Sequence, residues 1–238
     1  MGAMYVLVQR DVLIRDLKAS GIFVFRIGDV VRLTGLSRES VKVMLHRHVR
    51  DGWMWRVTRG VYSITINPHV VATSLSRPSY LSFTTAYHIH GVVDQIPHAL
   101  TVATSRSRKA LETEVGAISF VQVRPGLVFG FRKERYNDGE ATIAELEKAI
   151  VDSVYLPRHA AFADTIEAVR GCDVDRLEAY AERSGIEVVR RRVGLLVNRL
   201  HGDTSIEPRG RTVYSLNPSG RARGTFDSAW RMYVNEKV

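Results

Sequence analysis

One cysteine, Cys172, stands in a chain of 238 residues, so no intramolecular disulfide can staple this fold and no thiolate-rich zinc site can form. Such a chain suits a reducing interior. No apolar run approaches the roughly 18 to 20 residues needed to cross a bilayer, and no charged segment leads into an apolar one at the N-terminus. The expectation is a cytoplasmic protein without a membrane partner. Internal repeats, low-complexity tracts and heptad seams are missing too, so nothing in the pattern argues for an obligate helical partner. A Gly-rich phosphate loop is also lacking. The acid-x-Lys spacing that a metal-dependent nuclease needs on a strand occurs only at Asp16-Leu17-Lys18, inside a helical pattern with no companion carboxylates. His88-Ile89-His90 could ligate a metal only if extended, because residues two apart on a helix point to different sides. No catalytic residue, metal or cofactor is therefore expected.

What the chain has in excess is positive charge. The formal net charge is +9, and residues 1–66 hold 11 Lys or Arg against 5 Asp or Glu, so six of the nine excess charges sit in the first quarter. A basic field concentrated at one end fits an anionic polymer, whose condensed counterions are released on binding.

The same quarter carries the most informative pattern. With Met1 and Met4 both potential starts, the fold reading begins at Tyr5. Leu7, Leu13, Ile14 and Leu17 share one helical face, and Ser20-Gly21 ends it. Phe23-Val24-Phe25 is a short strand. Ile27, Val30, Val31 and Thr34 recur at helical spacing, Gly35-Leu36 breaks the pattern, and Ser37 is placed to accept from the free N–H groups of a following helix. In that helix Val41, Met44, Leu45, His48 and Val49 face one way, and Arg38, Glu39, Lys42, His46 and Arg50 lie on or near the other side. A helix that reads DNA needs this division, with one face fixed to its domain and the other offering donors to phosphates and guanine. Trp53 to Val57 and Val61 to Ile64 then read as two strands around Thr58-Arg59-Gly60, with Trp53 and Trp55 as packing residues. The order predicts a winged helix; the plainer alternative is a charged surface helix beside an unrelated hairpin.

A connection is expected around Asn67-Pro68-His69, which gives a winged helix over residues 5–66 and a second domain over 70–238. There the strand candidates are Tyr80 to Ser82, Leu100 to Thr104, Ala117 to Val123, Leu127 to Phe131 and Thr212 to Leu216. Helix candidates are Thr84 to His90, Leu146 to Tyr155, Asp164 to Val169, Asp175 to Ser184 and Glu187 to Arg199. The whole is an α+β protein, with a mixed second domain whose short-stranded sheet is covered on one side by helices. On Leu146 to Tyr155 the charges Glu147, Lys148 and Asp152 are expected in solvent or in ion pairs along the helix, with Ala149, Ile150, Ser153 and Val154 turned inward.

Three phrases of this half resemble a known family. Ser82-Phe83-Thr84-Thr85-Ala86-Tyr87, continuing to Gly91-Val92 and Pro97, is similar to the "S-x-x-x-A-L-x-x-x-G-L-x-x-x-x-P" of AbiEi-type antitoxins. Arg124-Pro125-Gly126-Leu127-Val128-Phe129-Gly130 resembles their "K-P-x-L-x-F-G". Ile143-Ala144-Glu145-Leu146-Glu147-Lys148-Ala149-Ile150-Val151-Asp152-Ser153-Val154-Tyr155 resembles their "I-A-x-P-E-K-A-L-x-D-L-x-Y", with Leu146 in the place of proline and Ile150 in that of leucine. The resemblance implies the antitoxin of a type IV toxin-antitoxin pair, a phage-defence module. Such a protein represses its own operon through inverted repeats in the promoter and offsets a nucleotidyltransferase toxin encoded beside it. In that family the C-terminal domain is needed for neutralisation, often without a stable complex with the toxin.

The candidate contacts to double-stranded DNA are Ser37, Arg38, Lys42, His46, Arg47 and Arg50 on the second helix of the motif, and Arg56 and Arg59 on the hairpin. Additional phosphate contacts are expected from the basic loop Arg106, Arg108, Lys109 and from the basic helix segment Arg190, Arg191, Arg192. Solvated surface charge is the equal alternative for these last six. The rival functional class is a winged-helix nuclease or other DNA-processing enzyme whose site assembles from distant residues; a stand-alone regulator is the third reading.

Overall fold

The computed structural model describes residues 10–220 and 224–238; Leu7 lies outside the described residues. Helix α1 (Arg10–Ala19) buries Leu13 and Leu17, as their spacing predicts. Strand β1 (Val24–Arg26) runs into α2 (Ile27–Thr34), which buries Ile27 and Val30, and α3 (Arg38–Arg50) follows, burying Val41 and Leu45. The hairpin is β2 (Trp55–Thr58) and β3 (Val61–Ser63), with Gly60 at φ +75°, a conformation that costs glycine no Cβ clash. The three strands form a sheet in the order β1-β3-β2. Phe25 stacks on Tyr62 and joins Leu13, Leu17, Val41, Leu45 and Met54 in one core. Met54, rather than the flanking tryptophans, is the residue that fills it: Trp53 is 46% exposed and Trp55 half-buried.

The Asn67-Pro68 step opens a helix instead of an open connector. Asn67 accepts from the N–H groups of His69 and Val70, and proline takes the first position of α4 (Pro68–Ser74), where its missing N–H costs nothing. After it come β4 (Ser79–Leu81), α5 (Phe83–Ile89), β5 (Ala99–Thr104), β6 (Leu111–Thr113), β7 (Gly116–Gln122), β8 (Phe131–Tyr136) and β9 (Gly139–Ala144). These strands make a mixed six-stranded sheet in the order β6-β7-β5-β4-β9-β8. The expected strand Leu127 to Phe131 is a short turn of 3-10 helix over Pro125–Leu127 and a loop, and the strand begins only at Phe131. Alternate residues go to opposite faces, as a pleat requires. Tyr80, Ala103 and Ala144 belong to the core beneath the helices, whereas Leu81, Val102 and Ile143 pack with Val71, Ala72 and Leu75 of α4 and with Val57 and Val61 of the wing. The sheet is therefore covered on both faces, not one, and its second cover includes the back of the winged helix.

The helical layer is α6 (Leu146–Tyr155), α7 (Phe162–Arg170), α8 (Val174–Ser184) and α9 (Glu187–His201). A small sheet follows from β10 (Tyr214–Ser215), β11 (Thr225–Asp227) and β12 (Met232–Val234), in the order β10-β12-β11. Helix α6 is central and buried nearly all round, so Glu147, Lys148 and Asp152 are at 5%, 0% and 0% exposure instead of in water. Lys148 and Asp152 form an ion pair one helical turn apart. Asp152 also accepts from the hydroxyls of Tyr80 at 3.1 Å and Ser82 at 2.8 Å.

Candidate nucleic-acid interface

The turn between α2 and α3 is built by local chemistry. Gly35 closes α2 with its N–H on the carbonyl of Val31, and Ser37 opens α3 by accepting from the N–H of Ser40 at 3.2 Å. Ser37 is exposed, but its Oγ is also 2.9 Å from that of Ser40, so its first role is structural. Removing this cap in Ser37→Ala is expected to lower stability by about 1 kcal/mol. Urea unfolding measures it, and an unchanged midpoint would mean that the hydroxyl does not hold the helix start.

From this fixed start Arg38, Lys42, His46 and Arg50 follow at four-residue intervals along α3 and are all exposed, with Arg47 on the adjoining ridge. Only Arg50 of these has a carboxylate partner among the described residues, Asp51 at 3.1 Å, and both are well exposed, so that pair holds little. Two residues that charge alone does not mark share the surface. Val43 is 52% exposed, and Glu39 is exposed one turn before it. A valine in such a place can meet a thymine methyl and a glutamate can accept from cytosine; the signal in the sequence was an apolar residue at a position the helical pattern assigns to solvent. Arg59 is exposed at the wing tip, and Arg56 is exposed on the edge strand β2, opposite Tyr62.

The second half divides differently from its expectation. Arg106 and Lys109 are exposed on the loop after β5. Arg108 is held: its guanidinium donates to the carbonyl of Leu75 and lies 5.0 Å from the centre of the Phe120 ring. Arg190, Arg191 and Arg192 are withdrawn from any DNA surface, at 4%, 0% and 5% exposure. Arg190 pairs with Glu182 at 2.6 Å and Glu187 at 2.7 Å. Arg191 pairs with Glu187 and donates to the carbonyls of Arg209, Gly210 and Thr212. Arg192 donates to those of Val154 and Ser215. These arginines fasten the segment before β10 to the helical layer, and burial brings the Arg192 guanidinium down to about 10. Arg199, on the same helix, is half exposed and paired with Asp227 at 3.0 Å.

Asp16, His88 and His90 are each engaged by neighbours in the fold. Asp16 pairs with Arg15, and Leu17 between Asp16 and Lys18 is fully buried. His88 and His90 engage the carbonyls of Val93 and Ala144, at 3.2 and 2.8 Å. Among the described residues no three His, Cys, Asp or Glu side chains come together as a metal would require, and no helix is long and apolar enough to cross a membrane.

Three helices, a capped helix-helix turn and a two-stranded hairpin that bears arginine at its tip define a winged helix, a class of nucleic-acid-reading domain. Residues 12–65 match the family described as "Transcriptional regulator, AbiEi antitoxin". That match covers the winged helix alone; the phrases that resemble AbiEi-type antitoxins, between Ser82 and Tyr155, lie outside it. No curated protein matches the chain.

Proposed function

We propose that this protein is the antitoxin of a type IV toxin-antitoxin pair. It represses its own operon by binding inverted repeats in the promoter, and it counteracts a nucleotidyltransferase toxin encoded beside it. In this reading residues 5–66 read DNA and residues 70–238 serve neutralisation, both in the cytoplasm and without cofactor, metal or catalysis. The observation that carries the DNA half is the exposed cationic ridge of Arg38, Lys42, His46, Arg47 and Arg50 beside a wing tipped by Arg59. Such a ridge offers bidentate donors to guanine and charge to the flanking phosphates. The antitoxin half rests on the family of the winged helix and on the phrases of the second half.

A gel shift with the DNA upstream of its own gene, against scrambled DNA of equal length at moderate and rising salt, tests the first half. Preference for the promoter should persist where nonspecific binding has been lost to salt; equal affinity for both would reject the reading. Co-expression with the product of the adjacent gene tests the second half, with rescue of growth as the expected result. A neighbour that is not a nucleotidyltransferase, or no rescue, would refute the pairing.

A further inference from the structure

The wing and the second half meet at a cleft of about 250 Å³, bordered by Arg26 and Val61 on one side and by Ser74, Leu75 and Arg77 on the other. Its position follows from the sheet register. Arg26 is opposite Val61 and Val61 is opposite Thr58, so Arg26 stands at the end of the sheet where the wing turns through Arg59 and Gly60. Two strand spacings, about 10 Å, separate Arg26 from the outer strand of the wing. Arg26 also shares its sheet face with Val24 and Val61, which pack toward α4 and the large sheet, whereas Phe25 between them faces the helices.

On the far side Leu75 and Arg77 line the cleft, and the carbonyl of Leu75 accepts from the guanidinium of Arg108, which lies behind it and is not itself a lining residue. Partial burial first, and then the like charge of Arg26, lower the Arg108 pKa. Among the described residues no carboxylate pairs with Arg26, Arg77 or Arg108. Asp29, the acid that lines the cleft, is committed elsewhere: one oxygen accepts the backbone N–H of Arg26 at 2.7 Å and the other pairs with Arg32. Arg26 of β1 and Arg77 of the segment after α4 thus line one cleft, Arg108 is bonded to a third lining residue, Leu75, and the one acid of the lining, Asp29, already holds Arg32. Guanidinium groups in such an arrangement match the oxygens of a phosphate.

We infer that the cleft lined by Arg26 and Arg77, with Arg108 behind Leu75, is a phosphate-binding slot, and that its occupant is a backbone phosphate of the DNA on which α3 sits. This assignment of the occupant rests on the DNA-reading function proposed above. It makes the second half part of the reading surface: Arg77 holds the strand beside the wing, and the docking of the winged helix on α4 sets the distance between slot and recognition helix. Phosphate contacts of this kind fix register and carry no sequence preference.

The test compares the wild-type chain with Arg26→Gln/Arg77→Gln, leaving Arg108 and its bond to Leu75 in place. Binding to a promoter duplex and to a scrambled duplex is measured from 50 to 200 mM salt, and binding of inorganic pyrophosphate is measured by calorimetry. Each lost phosphate contact reduces the slope of log affinity against log salt by about 0.9, so two lost contacts reduce it by about 1.8. Affinity for both duplexes should fall about tenfold at the lower salt, with unchanged thermal unfolding. An unchanged slope combined with pyrophosphate binding that the variant loses would keep the phosphate slot and assign it to a free phosphate, overturning the DNA assignment. An unchanged slope without pyrophosphate binding overturns both. Failure of the wild-type chain to prefer its promoter would be a failure of the proposed function, and the pyrophosphate arm would still judge the slot.

Discussion

Asp152→Ala is expected to destabilise the protein by about 3 to 5 kcal/mol, a large part of the roughly 5 to 15 kcal/mol that holds a typical domain together. The reason is what it leaves behind. Lys148 and Asp152 are both at 0% exposure, and Lys148 lies 5.1 and 5.2 Å from the ring centres of Tyr80 and Phe129. Without its carboxylate the ammonium must stay charged among aromatic rings or give up its proton, and burial already pushes its pKa down. The hydroxyls of Tyr80 and Ser82 lose an acceptor at the same time. Lys148→Met should be damaging for the mirror-image reason, since it strands a buried carboxylate. The double change Lys148→Met/Asp152→Ala should recover part of the loss, because it removes both charges at once, with a coupling of about 0.5 to 3 kcal/mol. Urea unfolding of the four proteins measures the cycle, and Asp152→Asn serves as the milder variant if alanine does not fold. A loss below about 1 kcal/mol for Asp152→Ala would mean that the pair is not the electrostatic centre of this core.

That ion pair also gives the antitoxin-like phrases a physical meaning. Ser82 begins the first phrase, Phe129 and Gly130 close the second, and Lys148 and Asp152 are two of the four charges of the third; in space they come together around the ion pair. Gly130 sits at φ +65°, where a Cβ would come within 2.9 Å of Tyr180 and 3.0 Å of Lys148, so the backbone conformation and these two side chains together dictate the glycine. The phrases thus meet in a buried core; their charges were expected in solvent or in ion pairs along the helix, and Lys148 and Asp152 do form such a pair, but amphipathic spacing cannot distinguish a surface helix from a central one whose polar face is buried. The same blindness misplaced Arg190, Arg191 and Arg192: three consecutive residues on a helix cannot share a face, and the clue was the acids just before them, Glu187 at the start of α9 and Glu182 near the end of α8. Local signals fared better. Ser37, Gly35 and the Arg59-Gly60 turn act through neighbours in sequence, and their helix-turn-helix and wing stand where the pattern predicts, while α6 keeps the bounds read from its periodicity. Helix α4 was missed because Pro68 was taken as a breaker, although proline is favoured at a first helical position. Strand β8 was missed because its charged sequence, Phe131-Arg132-Lys133-Glu134-Arg135-Tyr136, is that of an exposed edge. Arg26 and Arg77 were missed because only the register and the docking of α4 bring them together.

Arg38→Ala and Lys42→Ala are expected to have the largest effect on DNA binding. Arg38 is the first residue of α3 and Lys42 stands one turn on, and it is the N-terminal part of a recognition helix that meets base edges. Neither has a carboxylate partner among the described residues and both are exposed, so their loss should leave stability within about 0.5 kcal/mol. If a side chain reads a base, its removal should cost about 1 to 3 kcal/mol of discrimination, roughly 5- to 150-fold between promoter and scrambled duplex. If it meets a phosphate, both duplexes should weaken alike and the salt slope should drop by about one. The two roles separate in one experiment, a salt series on both duplexes for each variant. Lys42, whose single ammonium has no fork to match O6 and N7 of guanine as Arg38 can, is the better candidate for the phosphate outcome and Arg38 for the base outcome. Full promoter affinity and an unchanged slope in both variants would move the reading head off α3 altogether, and with it the reason for placing a groove-fitting surface at this end of the molecule.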